Sequence, residues 1–426
     1  MHQNVILNLF QCFVLGAANS IWTGTVQVVF IYIMCDESNT SVGMVEMAYG
    51  LASLISAYPI GYIADKRGRS PLLKVGGAVA ILTAVATAYT VWCITDDDPK
   101  WGYTVFITCM VLWGIVGGIT NGPAQALYAD SIPDGTRSKW FNRLFSSWLV
   151  GSAVGPMITV IMFREYGNRW HLPELRMMFI VGLALEVVGS IPSFFYKDID
   201  RTKKEKVVQN IQDVDAAIFF LDKNKWYKAI PYVLVLSNTV VALGSGMTVK
   251  FFPLFFKNTL DMSPSAVQII YTVSPIAITL FSGLGICLAK RTGRIEAVLL
   301  LSFIGLGFLV SMALFYRQLT PIGTAVFFVI RTALMNSPTP LYDSILMDTV
   351  PKSQRARWKS LDSIIVLGWC GSAALGGWLA DSYNYTTTFL ITAIVQATGL
   401  LLLLIIRRAV PNEETEKLDD ESAPLL

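Results

Sequence analysis

Residues 61–70 read GYIADKRGRS. Lys66, Arg67 and Arg69 surround one acid, Asp65, and apolar runs lie on both sides, near 42–64 and 71–94. A turn this short has no core of its own, so its charges must be met by water or by neighbouring segments. The flanking runs are long enough to cross a hydrocarbon layer of roughly 30 Å, which takes about 20 apolar residues as a helix. The stretch therefore reads as a polar turn between two membrane-spanning helices, and the expected fold class is an all-α integral membrane protein.

The rest of the chain agrees with that reading. Of 426 residues 54% are hydrophobic and only 15% charged, where soluble domains carry about 25% charged residues; the mean hydropathy is +0.53. The six cysteines are scattered with no C-x-x-C pair, and the two histidines, His2 and His171, lie outside the apolar runs. That pattern argues against zinc, redox and histidine-based catalytic sites. The first ten residues, MHQNVILNLF, have no basic leader and no A-x-A site, so a removed signal peptide is not expected. Twelve spans are expected, near 4–34, 42–64, 71–94, 102–130, 140–163, 175–196, 227–256, 264–289, 295–316, 320–347, 358–381 and 385–407. The longest of them require tilt or an extension beyond the bilayer.

Orientation follows from Lys and Arg, which favour the cytosolic side. With the N-terminus inside, 25 of the 33 Lys and Arg fall in inside segments and 7 in outside segments, Lys250 and Lys257 counted among the latter. Arg331 alone is left within a helix. Both termini are therefore expected in the cytosol, in a plasma, endosomal, lysosomal or vacuolar membrane. Two N-x-S/T triplets, at Asn39 and Asn384, fall in expected outside loops. The expected organisation is a six-helix bundle over 1–197, a cytosolic loop with an amphipathic helix over 198–226, a second six-helix bundle over 227–408 and a disordered acidic tail over 409–426.

The two halves repeat each other. DSIPDGTRSKW (130–140) aligns with DTVPKSQRARW (348–358) at an offset of 218, matching Asp130 to Asp348, Arg137 to Arg355 and Trp140 to Trp358. GYIADKRGR (61–69) echoes GICLAKRTGR (285–294), with Ala289 in place of the acid. GSAVGP (151–156) echoes GSAALGG (371–377). A parallel duplication of six helices is a transporter plan with the solute site between the halves. With GYIADKRGR between helices 2 and 3, the chain resembles the major facilitator superfamily. That family's signature at this place is G-x-x-x-D-[RK]-x-G-[RK]-[RK]; Gly61, Asp65, Lys66, Gly68 and Arg69 match it and Ser70 departs.

The resemblance implies two pseudo-symmetric six-helix bundles, and a cytosolic latch in which Asp65, with Arg69, pairs across the halves with cationic groups and a helix N-terminus. The other reading of the bases is as positive-inside anchors, which suits Lys66 and Arg67. Asp130 with Arg137, and Asp348 with Arg355, suit charge networks at the cytosolic gate. Gly151 and Gly155, with Pro156, place small residues four apart, as close helix packing requires. Proton-linked exporters of the family carry G-x-x-x-G-P-x-x-G-G there, and Met157 to Val160 depart from it.

Ionisable groups inside spans point to function. Arg331 sits about eleven residues into helix 10. It is read as a contact for an anionic substrate group or as half of a fixed ion pair. Glu186, in the middle of helix 6, is the candidate for proton uptake, since burial favours the protonated form of a carboxyl. Glu46, Asp343 and Asp362 lie nearer the ends of spans and are candidates for gates. The resemblance makes helices 1, 4, 7 and 10 cavity helices. Their uncharged polar residues, Asn19, Gln27, Asn121, Gln125, Asn238 and Asn336, are candidates for solute contact or for bonds between helices. KFFPLFF (250–256) is read as an outer gate or as interfacial aromatics.

The sequence has no G-x-x-x-x-G-K-[ST] for ATP, no acid in helix 1 and no PESPR-like or PETKG-like segment. The expected function is secondary active transport of a small solute, leaning to an organic anion, with protons as a further partner. The working unit is a monomer in the lipid bilayer, with no cofactor, metal or nucleic acid and no enzymatic chemistry. The alternatives are a non-transporting sensor or receptor on the same fold and a proton-linked drug or metabolite exporter. The end of the tail, Glu421 to Leu426, matches an acidic dileucine sorting pattern through Glu421, Leu425 and Leu426.

Overall fold

The computed structural model describes residues 2–94, 99–132, 137–199, 225–350, 358 and 362–410. Among these the regular structure is helical, with no strand. We number twelve helices along the chain: α1 Gln3–Met34, α2 Asn39–Arg67, α3 Arg69–Cys93, α4 Pro99–Asp130, α5 Arg137–Glu165 and α6 Leu172–Ser190. They continue as α7 Lys225–Val249, α8 Pro264–Thr292, α9 Arg294–Phe315, α10 Pro321–Asn336 with Thr339–Thr349, α11 Asp362–Ser382 and α12 Tyr385–Leu402. All twelve expected spans coincide with a helix. Ten segments among the described residues are long and apolar enough to cross a membrane. The two pieces of α10, 16 and 11 residues, are each shorter than a span; they part at Ser337-Pro338, since proline cannot continue the hydrogen-bond ladder.

Several helices contain a proline or an irregular turn. Pro59, Pro123, Pro156, Pro231 and Pro275 lie inside α2, α4, α5, α7 and α8. Such prolines persist in membrane helices because neighbours satisfy the freed carbonyls. α1 contains a π turn over Trp22–Val26 with a non-helical Gly24 (φ −84°, ψ −120°). Past α7 the chain breaks at Lys250-Phe251, restarts at Phe252-Pro253, and ends in a π turn over Phe255–Thr259.

The described chain forms two compact units. The first comprises Met1–Asp200 with Gly246–Ile276 and Trp369–Thr388, that is, α1–α6 together with the last residues of α7, the first part of α8, the later part of α11 and the first residues of α12. Its centre is a cluster of large aromatics. Trp22 stacks obliquely on Trp113 at 5.2 Å and on Phe179 at 5.9 Å, and Phe30 meets Phe179 edge-on at 5.2 Å. α1 and α5 approach so closely that a Cβ on Gly151 or Gly155 would collide with the Phe13 or Ala17 carbonyl. Gly246, Gly376 and Gly43 make equally close approaches to the backbone at Trp369, Met247 and Ala373. The second unit comprises Arg201–Ser245, Ala277–Gly368 and Phe389–Leu426. There α7 is tied to α12 by Ser237 Oγ donating to the Gly399 carbonyl (2.8 Å) and by Gln396 Nε2 donating to Ser245 Oγ (2.8 Å). Phe308 of α9 meets Phe327 of α10 at 5.0 Å.

Candidate functional site

At the end of each repeat that carries the 2–3 or 8–9 turn, the same device recurs. Gly68 (φ +89°, ψ 160°) separates α2 from α3, and Gly293 (φ +104°, ψ 154°) separates α8 from α9. That backbone region is open almost solely to glycine. The next residue in each case is an arginine that pairs with the repeated aspartate at the end of the following helix, α4 or α10: Arg69 with Asp130, and Arg294 with Asp348. Arg294 also donates to Ser344 Oγ at 3.1 Å. In the first unit the α3 N-terminus is further capped by Asp198, whose Oδ1 accepts from the Arg69 and Ser70 amides, both at 2.9 Å. This uses the orphan N–H groups and partial positive charge of a helix start. Asp198 fell within the expected central loop and was not a sequence candidate.

The side chains of Asp65, Arg137 and Asp362, and all of Arg355, Glu421, Leu425 and Leu426, lie outside the described residues, as do the amphipathic helix and the acidic tail beyond Val410. Gly61 lies in α2 with open space where a Cβ would project. Trp140 receives the Tyr128 hydroxyl on its carbonyl (2.8 Å), and Trp358 meets Tyr232 edge-on at 4.8 Å.

The opposite end of the first unit is closed by hydrogen bonds. Asp381, at the end of α11, caps α2. Its carboxylate accepts from the Asn39 amide (2.9 Å) and side chain (2.8 Å), and from the Thr40 amide (2.7 Å) and hydroxyl (2.6 Å). The Tyr385 hydroxyl donates to Asn39 Oδ1 at 2.9 Å. Trp170 Nε1 donates to the Met262 carbonyl (2.8 Å), and the Ser265 amide donates to Asn168 Oδ1 (2.9 Å). Of the two N-x-S/T triplets expected in outside loops, the first begins at the first residue of α2, Asn39, whose side-chain nitrogen is buried against Asp381. The KFFPLFF aromatics are not interfacial, since Phe251, Phe252, Phe255 and Phe256 are all fully buried.

The first unit also holds a cavity of about 210 Å³ lined by Asn19, Ser20, Thr23, Gly24, Trp148, Ser152, Lys250, Tyr271 and Trp369 among others. The π turn of α1 shapes its wall. The Gln27 amide bonds to the Trp22 and Gly24 carbonyls, bypassing Thr23, and Lys250 Nζ donates to the Thr23 carbonyl instead, at 3.2 Å. Lys250 also pairs with Glu46 Oε1 at 2.8 Å, and Gln27 Nε2 donates to the same oxygen at 3.2 Å. Asn19 donates to the Leu15 carbonyl (2.9 Å) and to Glu186 Oε1 (3.4 Å). Glu186 is buried, and its Oε2 has no hydrogen-bond partner among the described residues. Thus Asn19, Glu186, Gln27 and Glu46, candidates from three different helices, come together around α1.

The remaining candidates are placed separately. Arg331 is 3% exposed in α10 of the second unit. Asn336 is exposed and donates to the Thr332 carbonyl at 2.8 Å. Asn121 and Gln125 are exposed on α4, and Asn238 is half-buried on α7. Pro156 is buried, and its carbonyl accepts from Thr159 Oγ1 at 2.7 Å. Sequence reasoning missed Lys250 because it was counted as an outside-loop cation. The signal was the K-F-F-P sequence, a cation beside a proline-marked helix break.

Comparison with known proteins follows the same lines. The Major Facilitator Superfamily model matches residues 9–236 and 234–426. A curated relative, the class G tetracycline resistance protein of Vibrio anguillarum, is 27% identical over 112 residues, 26% of this chain and 25% of that protein. The chain thus matches about a quarter of that relative's length. Among solved structures, a D-xylose-proton symporter superposes with a TM-score of 0.71 at 17% identity, covering 96% of this chain and 97% of that one. The inward-open xylose transporter XylE of E. coli gives 0.67 at 16% identity, covering 96% of each chain. The nucleoside transporter NupG gives 0.65 at 15% identity, covering 95% of this chain and 100% of that one. At such identities the superpositions speak for the fold. Matched over nearly its whole length by the family model and folded as the family's solved members are, the chain belongs to the Major Facilitator Superfamily of membrane transporters.

Proposed function

We propose that the chain carries a small organic anion across the bilayer by alternating access, as a monomer with both termini in the cytosol and the Asp381 end outside. The observation that carries the anion reading is Arg331, 3% exposed in a helix of a membrane-spanning bundle. A guanidinium in such a place is costly and marks a solute or ion path by default. Protons couple to the solute through Glu186, which is buried beside Asn19, a residue of the cavity wall. Arg69–Asp130 and Arg294–Asp348 brace the cytosolic turn of each repeat, and Asp65 serves there as the latch between halves.

Flux into proteoliposomes tests the reading. Labelled organic anions are expected to enter the vesicles, faster with an inward proton gradient, and Arg331→Ala is expected to lose most of that flux. Equal flux by the variant would remove Arg331 from the site. Binding of anions without turnover would instead make the protein a sensor.

A further inference from the structure

We propose that Lys250 binds the carboxylate of the transported solute, and that Glu46 is only its resting counter-ion, a role that rests on reading the chain as an organic-anion carrier. The cation stands at the wall of the 210 Å³ cavity, held by the Glu46 carboxylate at 2.8 Å and the Thr23 carbonyl at 3.2 Å. Its Nζ lies 5.6 Å from the centre of the Trp369 ring.

Three features make this pair exchangeable rather than fixed. First, Lys250 belongs to no continuous helix. It sits in the break between Val249 and Phe252, so the chain there can turn without unwinding a helix. Second, Glu46 keeps a donor when Lys250 leaves, since Gln27 Nε2 already reaches the same oxygen. Third, replacing one carboxylate by another at the ammonium leaves its charge compensated, so the exchange avoids the cost of an unpaired buried cation. The cavity is the size of about seven waters at roughly 30 Å³ each, and indole rings, Trp148 and Trp369, form part of its wall. The solute class that fits is a small monocarboxylate with a flat apolar body.

The same contact links binding to movement. The Glu46–Lys250 pair joins α2 to the end of α7, so a solute that takes Lys250 also removes one tie at the closed end of the cavity.

Benzoate and benzamide, alike in shape and different in charge, test the proposal by isothermal titration and thermal shift on the purified full chain. Wild-type protein should bind benzoate and not benzamide. Lys250→Gln should weaken benzoate binding by more than about tenfold, the usual result of removing one side of a buried charge contact, and Lys250→Arg should retain it. Glu46→Gln should tighten benzoate binding, because the competitor for Lys250 is gone. A damaged fold cannot mimic that gain. The proposal is overturned if benzamide binds as well as benzoate, if Lys250→Gln binds benzoate like wild type, or if Glu46→Gln weakens it. The organic-anion reading fails separately: it falls if labelled organic anions do not enter wild-type proteoliposomes, even where benzoate binds through Lys250.

Discussion

Three side chains, Arg69, Arg294 and Glu186, show how charge is handled in this membrane protein. Arg69 and Arg294 are equivalent by repeat, yet their surroundings differ: the Arg69 side chain is 19% exposed and that of Arg294 only 4%. Removing the partner of a buried cation leaves it uncompensated, at about 3 kcal/mol or more. Asp348→Ala is therefore expected to lower the melting temperature of the detergent-solubilised protein more than Asp130→Ala does. The reverse order would show that solvent around Asp348 already screens Arg294. Glu186 is a different case, since among the described residues its carboxylate has one long bond, from Asn19, and its second oxygen has no hydrogen-bond partner. Glu186→Gln is expected to leave downhill solute flux intact and to abolish its acceleration by a proton gradient; unchanged acceleration would place coupling elsewhere. The sequence exposed Glu186 and Arg331 because an ionisable residue inside a long apolar run is conspicuous. It hid Lys250, Asp198 and Asp381, which lie at the ends of runs where charge is ordinary. Only a partner brought from elsewhere in the chain distinguishes them.

At the scale of elements, the apolar runs alone located the twelve helices numbered above, because a span of about 20 apolar residues is a strong constraint on any chain in a bilayer. The interruptions were less legible. A proline announces the split of α10, but nothing in WTGTV announces a π turn, which arises where α1 packs against neighbours and where Lys250 takes the Thr23 carbonyl. The glycines were read correctly as small and only partly understood. Gly155 lets α1 and α5 touch backbone to backbone. Gly155→Leu is accordingly expected to prevent a folded, monodisperse protein from being recovered in size-exclusion chromatography. Gly68 does something else: its φ of +89° turns the chain from α2 into α3 beneath the Asp198 carboxylate, 2.7 Å from where a Cβ would lie. Gly68→Ala should cost about 1–3 kcal/mol through backbone strain. Asp198→Ala should add little to that loss in the double variant, because the strain already displaces the cap. Additive losses, measured by thermal unfolding, would separate the cap from the turn.

On the scale of the whole molecule, the compact units are not the sequence halves. Residues 246–276 and 369–388 belong to the second repeat by sequence and to the first unit by contact. Pseudo-symmetry at the sequence level carries no information about which ends of the helices are engaged, because an alternating-access carrier uses one sequence for both engagements. If the proposed cycle is right, the contacts that join those segments to α1–α6 must break in every turnover. They include Asp381 on α2, Trp170 on Met262 and Ser265 on Asn168. A covalent tie at one of them should therefore stop transport without unfolding the protein. Asn168 and Ser265 suit this test, since one lies in the turn after α5 and the other in the first turn of α8, and they share a single hydrogen bond of 2.9 Å. With the six native cysteines replaced, the Asn168→Cys, Ser265→Cys pair joined by a short bifunctional methanethiosulfonate should show flux reduced to the level of empty vesicles. Reduction of the link should restore it, while either single variant treated alike should keep transporting. Undiminished flux through the linked protein would mean that this end stays closed throughout the cycle, and that the solute leaves the cavity by a route other than the parting of these segments.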